Sequence, residues 1–310
     1  MLHRIATIAL ATYREAVRAR VLVGLACAAC AVAFYSLIVG AFTLREAPRV
    51  VADLGAMTIG VFSIAVAIFI GATSLHRELE LKTILPILAR PIHRHEFLIG
   101  KYLGILLVVA VFALAEGGLV LMMGAMLGGR SIPLVVGVLA VLVLSLAVAA
   151  FRSQRARTFG PIAWSVAMML AGYLLASVAR GDRSLLVASA LLTVLEVAII
   201  AAVATVFSSF STPFLSALFT VGVFLVGRSA DTMARLPKRI FGEVIVSVGR
   251  GLARVVPNLH VYVPARPLLT GEAVDATLGK YLALAATQSL AWVVGLLALA
   301  AWIIRRRDFT

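Results

Sequence analysis

The chain has 310 residues, 62% of them hydrophobic, and a formal net charge of +14. That apolar share is well above a soluble globular protein, and runs of about 20 apolar residues make the chain a polytopic α-helical membrane protein. The basic residues are scattered along the chain between these runs, which argues against a nucleic-acid-binding protein. Cys27 and Cys30 form a CxxC inside the first apolar run. They have no His or further Cys partner and read as small packing residues.

Residues 1–20 are amphipathic and basic, without a small-residue cleavage site, so no signal peptide is expected. Arg4, Arg14, Arg18 and Arg20 set against Ile5, Ile8, Ala9, Ala16 and Val17 predict a helix in the membrane interface. Hydropathy places spans at residues 21–42, 54–74, 98–127, 134–151, 159–178, 185–207, 214–226 and 281–304. The seventh is short, and Ser208 to Pro213 break the chain before it. Gly117, Gly118, Gly124 and Gly128 make the third span suited to close helix packing.

Between the second and third spans lies the one long charge-dense run of the first half. Arg77, Lys82, Arg90, Arg94 and Lys101 are mixed there with His76, His93, His95, Glu78, Glu80 and Glu96. Leu75 and Leu79 repeat at helical spacing, and Leu81, Leu85 and Leu88 form a second apolar row. Pro86 ends or kinks a helix near Leu85, and Pro91 makes a corner at Arg90. A surface helix, a turn and a new transmembrane helix follow from this pattern. A plain solvated loop is the alternative.

The motifs Glu78-x-Glu80-x-Lys82-Thr83-Ile84, Leu88-Ala89-Arg90-Pro91-Ile92-x-Arg94 and Glu96-Phe97-Leu98-x-Gly100-Lys101 resemble the cytoplasmic loop of ABC-2 type transporter permeases. Tyr13-Arg14-Glu15 with Arg18-x-Arg20 is similar to the elbow helix of that family. Leu192-Thr193-x-Leu195-Glu196, the run Ala204 to Phe214, Gly227-Arg228, Pro257-Asn258-Leu259 and Arg306-Arg307-Asp308-Phe309 extend the resemblance to residues 185–310. The departure is residues 130–183. The resemblance implies six spans, and two more are inserted here.

The resemblance therefore implies an all-α fold with an interfacial helix and about eight transmembrane helices, a six-helix core plus a two-helix insertion. Its divisions are an elbow at 1–20, three spans at 21–128 with a coupling loop at 75–97, the insertion at 129–183, two spans at 184–228, an extracytoplasmic segment at 229–280, and the last span with a basic tail at 281–310. It further implies the permease subunit of an ATP-driven exporter in a bacterial inner membrane. Glu78, Leu79, Glu80, Leu81, Lys82, Thr83, Leu85, Arg90, Pro91 and Arg94 would form the surface that docks on a separate ATPase. Two ATPase copies, carrying ATP and magnesium, would serve a homodimer of this chain.

The residues agree in part without help from the family. Gly100-Lys101-Tyr102 and Gly279-Lys280-Tyr281 lack the preceding glycine spacing and the following Ser or Thr of a P-loop, so this chain is expected to bind no cofactor and to be no enzyme. His93-x-His95 is a weak metal signal, and no metal is expected. With both termini cytoplasmic, fifteen Lys or Arg fall on the inner side and five in the short outer loops. The remaining eight lie between Arg228 and Lys280, a long segment that obeys this rule weakly. Were the short seventh span re-entrant, that segment would lie inside and the C-terminus outside.

Residues 236–256 are amphipathic and read as a helix at the outer interface, a cap over the transporter, or a loop helix packed on neighbouring spans. Glu116 and Glu196 are intramembrane carboxylates. Each either lines a polar substrate path or serves as a hydrogen-bonded structural group. Two other classes remain: an intramembrane enzyme using Glu116, Glu196 and histidines, and a secondary transporter without an ATPase. The second would be favoured by inverted repeats, of which the sequence has no sign.

Overall fold

Two helices of 34 residues, Ala47–Glu80 and Arg94–Leu127, are longer than a bilayer requires. At about 1.5 Å per residue each reaches about 50 Å against a hydrocarbon core of about 30 Å. Part of the excess lies at the end where the charge-dense segment joins them, termed here the loop face. The opposite end is the far face. The structure, a computed structural model, describes residues 2–43, 47–80, 93–178, 180–264, 268–269 and 277–306, and for 75–80, 178, 180–182, 238, 239 and 241 it describes the backbone alone.

Among the described residues there are helices and no strands. They are α1 (Leu2–Val17), α2 (Arg20–Ala41), α3 (Ala47–Glu80), α4 (Arg94–Leu127), α5 (Ile132–Arg152), α6 (Gln154–Leu175), α7 (Arg180–Ser208), α8 (Pro213–Arg228), α9 (Ala230–Ala234), α10 (Lys238–Val255) and α11 (Leu278–Arg306). Seven of them are long and apolar enough to cross a membrane, namely α2 to α7 and α11. The eighth expected span is α8, which has 16 residues. The protein is thus an all-α polytopic membrane protein.

The helices start earlier than hydropathy places the spans. The third and fifth predicted spans open at residues 98 and 159, whereas α4 and α6 open at Arg94 and Gln154. Hydropathy marks the edge of the hydrocarbon, and a helix continues past that edge wherever its backbone bonds persist.

Lipid is as apolar as leucine, so burial alone does not hold these helices together; close packing does. Small residues mark where backbones meet. A Cβ on Gly118 of α4 would lie 2.5 Å from the backbone of Met168 in α6, and one on Gly172 of α6 would lie 2.5 Å from the Gly118 carbonyl oxygen. On α3, a Cβ on Gly71 would meet the Ala204 Cβ of α7 at 2.6 Å. Gly124, expected to join the packing face of α4, has open space where its Cβ would be. α4 and α7 are the buried centre, while α2, α5 and α11 present most of their surface outward. α5 buries only Val135 and is tied to α6 by Trp164, whose indole donates to the Leu142 carbonyl at 2.9 Å.

The far face holds the rest. Gly129, at φ 94°, turns the chain between α4 and α5, where a left-handed backbone suits glycine. Residues 256–262 fold back onto α8 and α11. The Leu259 amide donates to Gly227 O at 3.0 Å, and the Tyr262 hydroxyl donates to Ala285 O at 3.2 Å. α10 follows the amphipathic expectation with one break, at Gly242 (φ 77°). It packs through Val246 and turns Ile240, Val244, Val248 and Val255 outward.

The two α4 glycines give opposite predictions. Gly118→Ala forces α4 and α6 apart and should destabilise the chain by about 1–3 kcal/mol. Gly124→Ala adds a methyl to open space and should stabilise by about 0.5–1 kcal/mol. Thermal unfolding of both variants in the same detergent checks the pair, and a lower midpoint for Gly124→Ala than for Gly118→Ala would contradict this packing.

Candidate functional site

The charge-dense segment hangs from two helix ends. Glu78, Leu79 and Glu80 form the last turn of α3. Leu81, Lys82, Thr83, Leu85, Arg90 and Pro91 lie outside the described residues. Arg94 opens α4. What the structure defines is therefore the base of this segment, and it is held by three sets of contacts.

The first set ties α3 to α4. Lys101 is buried, and its ammonium donates to the Ser74 carbonyl at 2.8 Å and to the Ser74 hydroxyl at 3.1 Å. A buried ammonium is tolerated only with such partners. Its position 5.6 Å from the centre of the Phe97 ring adds a cation–π contact.

The second ties α4 to α11. The guanidinium of Arg94 donates to Ile304 O at 3.0 Å and to Arg305 O at 3.5 Å. These carbonyls end α11, where helices leave acceptors unpaired and where a cation is favoured.

The third clamps α1 along the excess turns of α4. Gly100 and Gly104 are one turn apart and admit the α1 backbone. A Cβ on Gly100 would lie 2.7 Å from Ile8 Cβ, and one on Gly104 would lie 2.6 Å from Thr12 Cβ and 2.7 Å from Ala9 O. Glu96 is buried, accepts from the His93 amide at 3.3 Å as an N-terminal cap, and lies 3.9 Å from Arg4. α1 also reaches α6, where Tyr13 stacks on Phe159 with ring centres 6.2 Å apart. The expected interfacial helix is thus a helix packed lengthwise on α4.

Beside this base the rings of His93 and His95 stack at 5.2 Å, in a groove shared with Arg94, Ala301 and Arg305. Among the described residues no third His, Cys, Asp or Glu joins them in a metal-binding group.

The two intramembrane carboxylates have different surroundings. Glu196 of α7 is buried and forms a two-pronged ion pair with Arg228 at the end of α8, at 2.8 Å (Nε to Oε1) and 3.0 Å (Nη2 to Oε2). A bidentate guanidinium is the strongest partner a carboxylate finds inside a protein. Glu116 of α4 is also buried, and its Oε1 has no hydrogen-bond partner among the described residues. No hydrogen bond or ion pair joins the two carboxylates there. Counting along α3 from Ser74, whose level Lys101 shares, to Ile59 beside Gly117 puts Glu116 about 23 Å deeper than the Lys101–Ser74 contact.

Sequence reasoning missed three of these features. The Gly100-x-x-x-Gly104 spacing is a small-residue packing signal, and it begins inside the loop motif and ends three residues beyond it. The partner of Glu196 lies 32 positions away, at a basic residue ending an apolar run. Nothing local points from Lys101 to Ser74.

A bundle of seven long apolar helices and one short one, with two over-long helices flanking the charge-dense segment at one face, defines a multi-pass membrane protein. A family model described as ABC-2 family transporter protein matches residues 15–309, and the chain belongs to that family. The matched range includes residues 130–183, so the stretch that departs from the motif resemblance still falls within the family's span. No curated protein matches the chain.

Arg228→Met should destabilise the protein by on the order of 3 kcal/mol, because it leaves the Glu196 carboxylate buried without its partner. Adding Glu196→Gln to that variant removes the stranded charge and should recover at least about half of the loss. Thermal unfolding of the single and double variants provides the measurement; strictly additive losses would show that the pair is not coupled.

Proposed function

We propose that this chain is the permease subunit of an ATP-driven ABC-2 exporter in a bacterial inner membrane, with both termini and the loop face in the cytoplasm. Two copies of the chain associate with two ATPase subunits. ATP and magnesium are held by the ATPases. ATP binding closes them, the coupling surface moves, and the motion passes into the membrane bundle and opens a path for cargo.

The construction of the loop base is the observation that supports this reading. The Lys101–Ser74 bonds fix α3 to α4, Arg94 fixes α4 to α11, and the glycine-lined seam fixes α1 to α4. A force applied to the segment between α3 and α4 is therefore delivered to four helices at once. A loop that only bridges two spans needs no such bracing.

Docking rests on an apolar ridge of Leu79, Leu81, Thr83 and Leu85, with Glu78, Glu80, Arg90 and Arg94 pairing at its rim. Interface energy concentrates in a few central residues, and exposed rim pairs contribute little. Leu81→Asp or Leu85→Asp should therefore abolish retention of the ATPase or uncouple hydrolysis from transport, since an unpaired carboxylate buried in an interface costs several kcal/mol. Glu80→Gln should do much less. Pull-down of the ATPase from membranes at matched expression checks this; full retention and activity with the Asp variants would remove the loop as the docking element.

Orientation has its own test. In a background lacking Cys27 and Cys30, single cysteines at Arg155 and Arg306 should be protected from an impermeant thiol reagent in intact spheroplasts. A cysteine at Asp182 should be labelled. The reverse pattern would invert the bundle and place the loop away from any cytoplasmic ATPase.

A further inference from the structure

The loop face carries a second basic feature, away from the braced segment. The α1–α2 turn and the start of α6 face each other across an open groove of about 720 Å³, lined by Arg18, Arg20 and Arg157 together with Val17, Val23 and Thr158. Its arginines come from two distant parts of the sequence. They are exposed, and among the described residues their guanidinium groups make no hydrogen bond or ion pair. No Asp or Glu lines the groove. Three like charges gathered in this way repel one another, and an anion seated among them relieves that repulsion.

The chemistry of the lining selects the anion. Guanidinium forks match the oxygens of a phosphate better than a point charge does. The Thr158 hydroxyl is engaged, donating to Gln154 O at 3.1 Å, so the arginines are the principal donors. Both α2 and α6 begin here, at Arg20 and Gln154, and the positive ends of their dipoles add to the attraction. The placement selects the source of the phosphate. α2 and α6 are membrane-crossing helices whose apolar spans start at the groove. Val23 continues its wall toward the hydrocarbon. An anion site that passes directly into an apolar wall fits a molecule with a phosphate at one end and acyl chains at the other.

We propose that this groove binds a phosphate presented by the headgroup of an anionic glycerophospholipid in the loop-face leaflet. Tyr13 stacked on Phe159 holds the two walls in register, so the site is preformed. A lipid seated there links the elbow helix and α2 to the α5–α6 hairpin. This inference does not depend on the ATPase partner.

The test uses the full chain, reconstituted with a mixture of phosphatidylcholine and phosphatidylglycerol, extracted in mild detergent and examined by native mass spectrometry for retained lipid. Arg18→Gln/Arg20→Gln/Arg157→Gln is compared with Arg14→Gln/Arg152→Gln/Arg155→Gln. The second set removes the same charge from exposed arginines that do not line the groove. Wild type and the second set should retain phosphatidylglycerol selectively, and the groove set should lose that selectivity by about tenfold or more, as expected for loss of several charge-assisted contacts. Arg157→Gln alone leaves α1 and α2 untouched and should lose about threefold on the same grounds. Equal losses in the two triple variants, no loss with Arg157→Gln, or no selectivity in wild type would each overturn the proposal. Calorimetric binding of inorganic phosphate to the detergent-solubilised chain, without selective lipid retention, would overturn the lipid as the source.

Discussion

The structure depends on how closely other backbones can approach α4. In water an apolar helix face is driven onto its neighbours; in a bilayer the same face is equally well served by lipid, and association is won by packing and by a few polar bonds. α4 meets α1 at Gly100 and Gly104, α3 at Val120 against Gly55, and α6 at Gly118 against Gly172. Remove the small residues at these points and the partner helices move away to where lipid competes with them. The arrangement of the bundle follows: α4 and α7 are enclosed, and the helices with little close approach, α2, α5 and α11, form the rim.

Polar groups in the spans divide into two kinds with different consequences. Most are satisfied within their own helix, as when Thr58, Thr73, Thr205 and Thr220 each return a hydroxyl to the carbonyl four residues back. These groups allow a polar residue to exist in hydrocarbon but hold nothing together. Others bond across helices, and four of these are Lys101 to Ser74, Tyr102 to Ala198 O, Ser289 to Leu195 O, and Glu196 to Arg228. Each carries tertiary information, because breaking it leaves a donor or acceptor stranded in a medium without water. α7 is a party to three of the four. It is bonded to α4, α8 and α11.

The membrane class, the apolar segments and the charge-dense loop were legible in the sequence because each is a one-dimensional signal. Hydropathy has a length scale, and so found eight segments within a few residues; it has no phase around a helix, and so did not separate Gly118, which faces α6, from Gly124, which faces open space. The pairing of Glu196 with Arg228 required knowing that α7 and α8 lie side by side with those two residues at one depth. Likewise Lys101 reads as one more basic residue of a wet loop until α3 is placed against it. Its neighbours Gly100 and Gly104 were the readable part, since a four-residue spacing of glycines predicts a close helix contact even when the partner is unknown.

The α5–α6 hairpin is the part of the chain that departs from the family's motif pattern, yet its two helices are not equivalent. α5 is a rim helix with almost no buried surface. α6 occupies the Gly118 face of α4, stacks Phe159 on Tyr13 of α1, and is secured at the far face by Arg130, whose guanidinium donates to Leu175 O at 3.2 Å and to the Ser177 hydroxyl at 2.7 Å. An appended hairpin would show two rim helices and an α4 glycine turned to lipid. Instead one helix of the pair completes the packing of the central helix, and the other covers its outer side. α1 therefore touches both the loop-bearing end of α4 and the helix that encloses it.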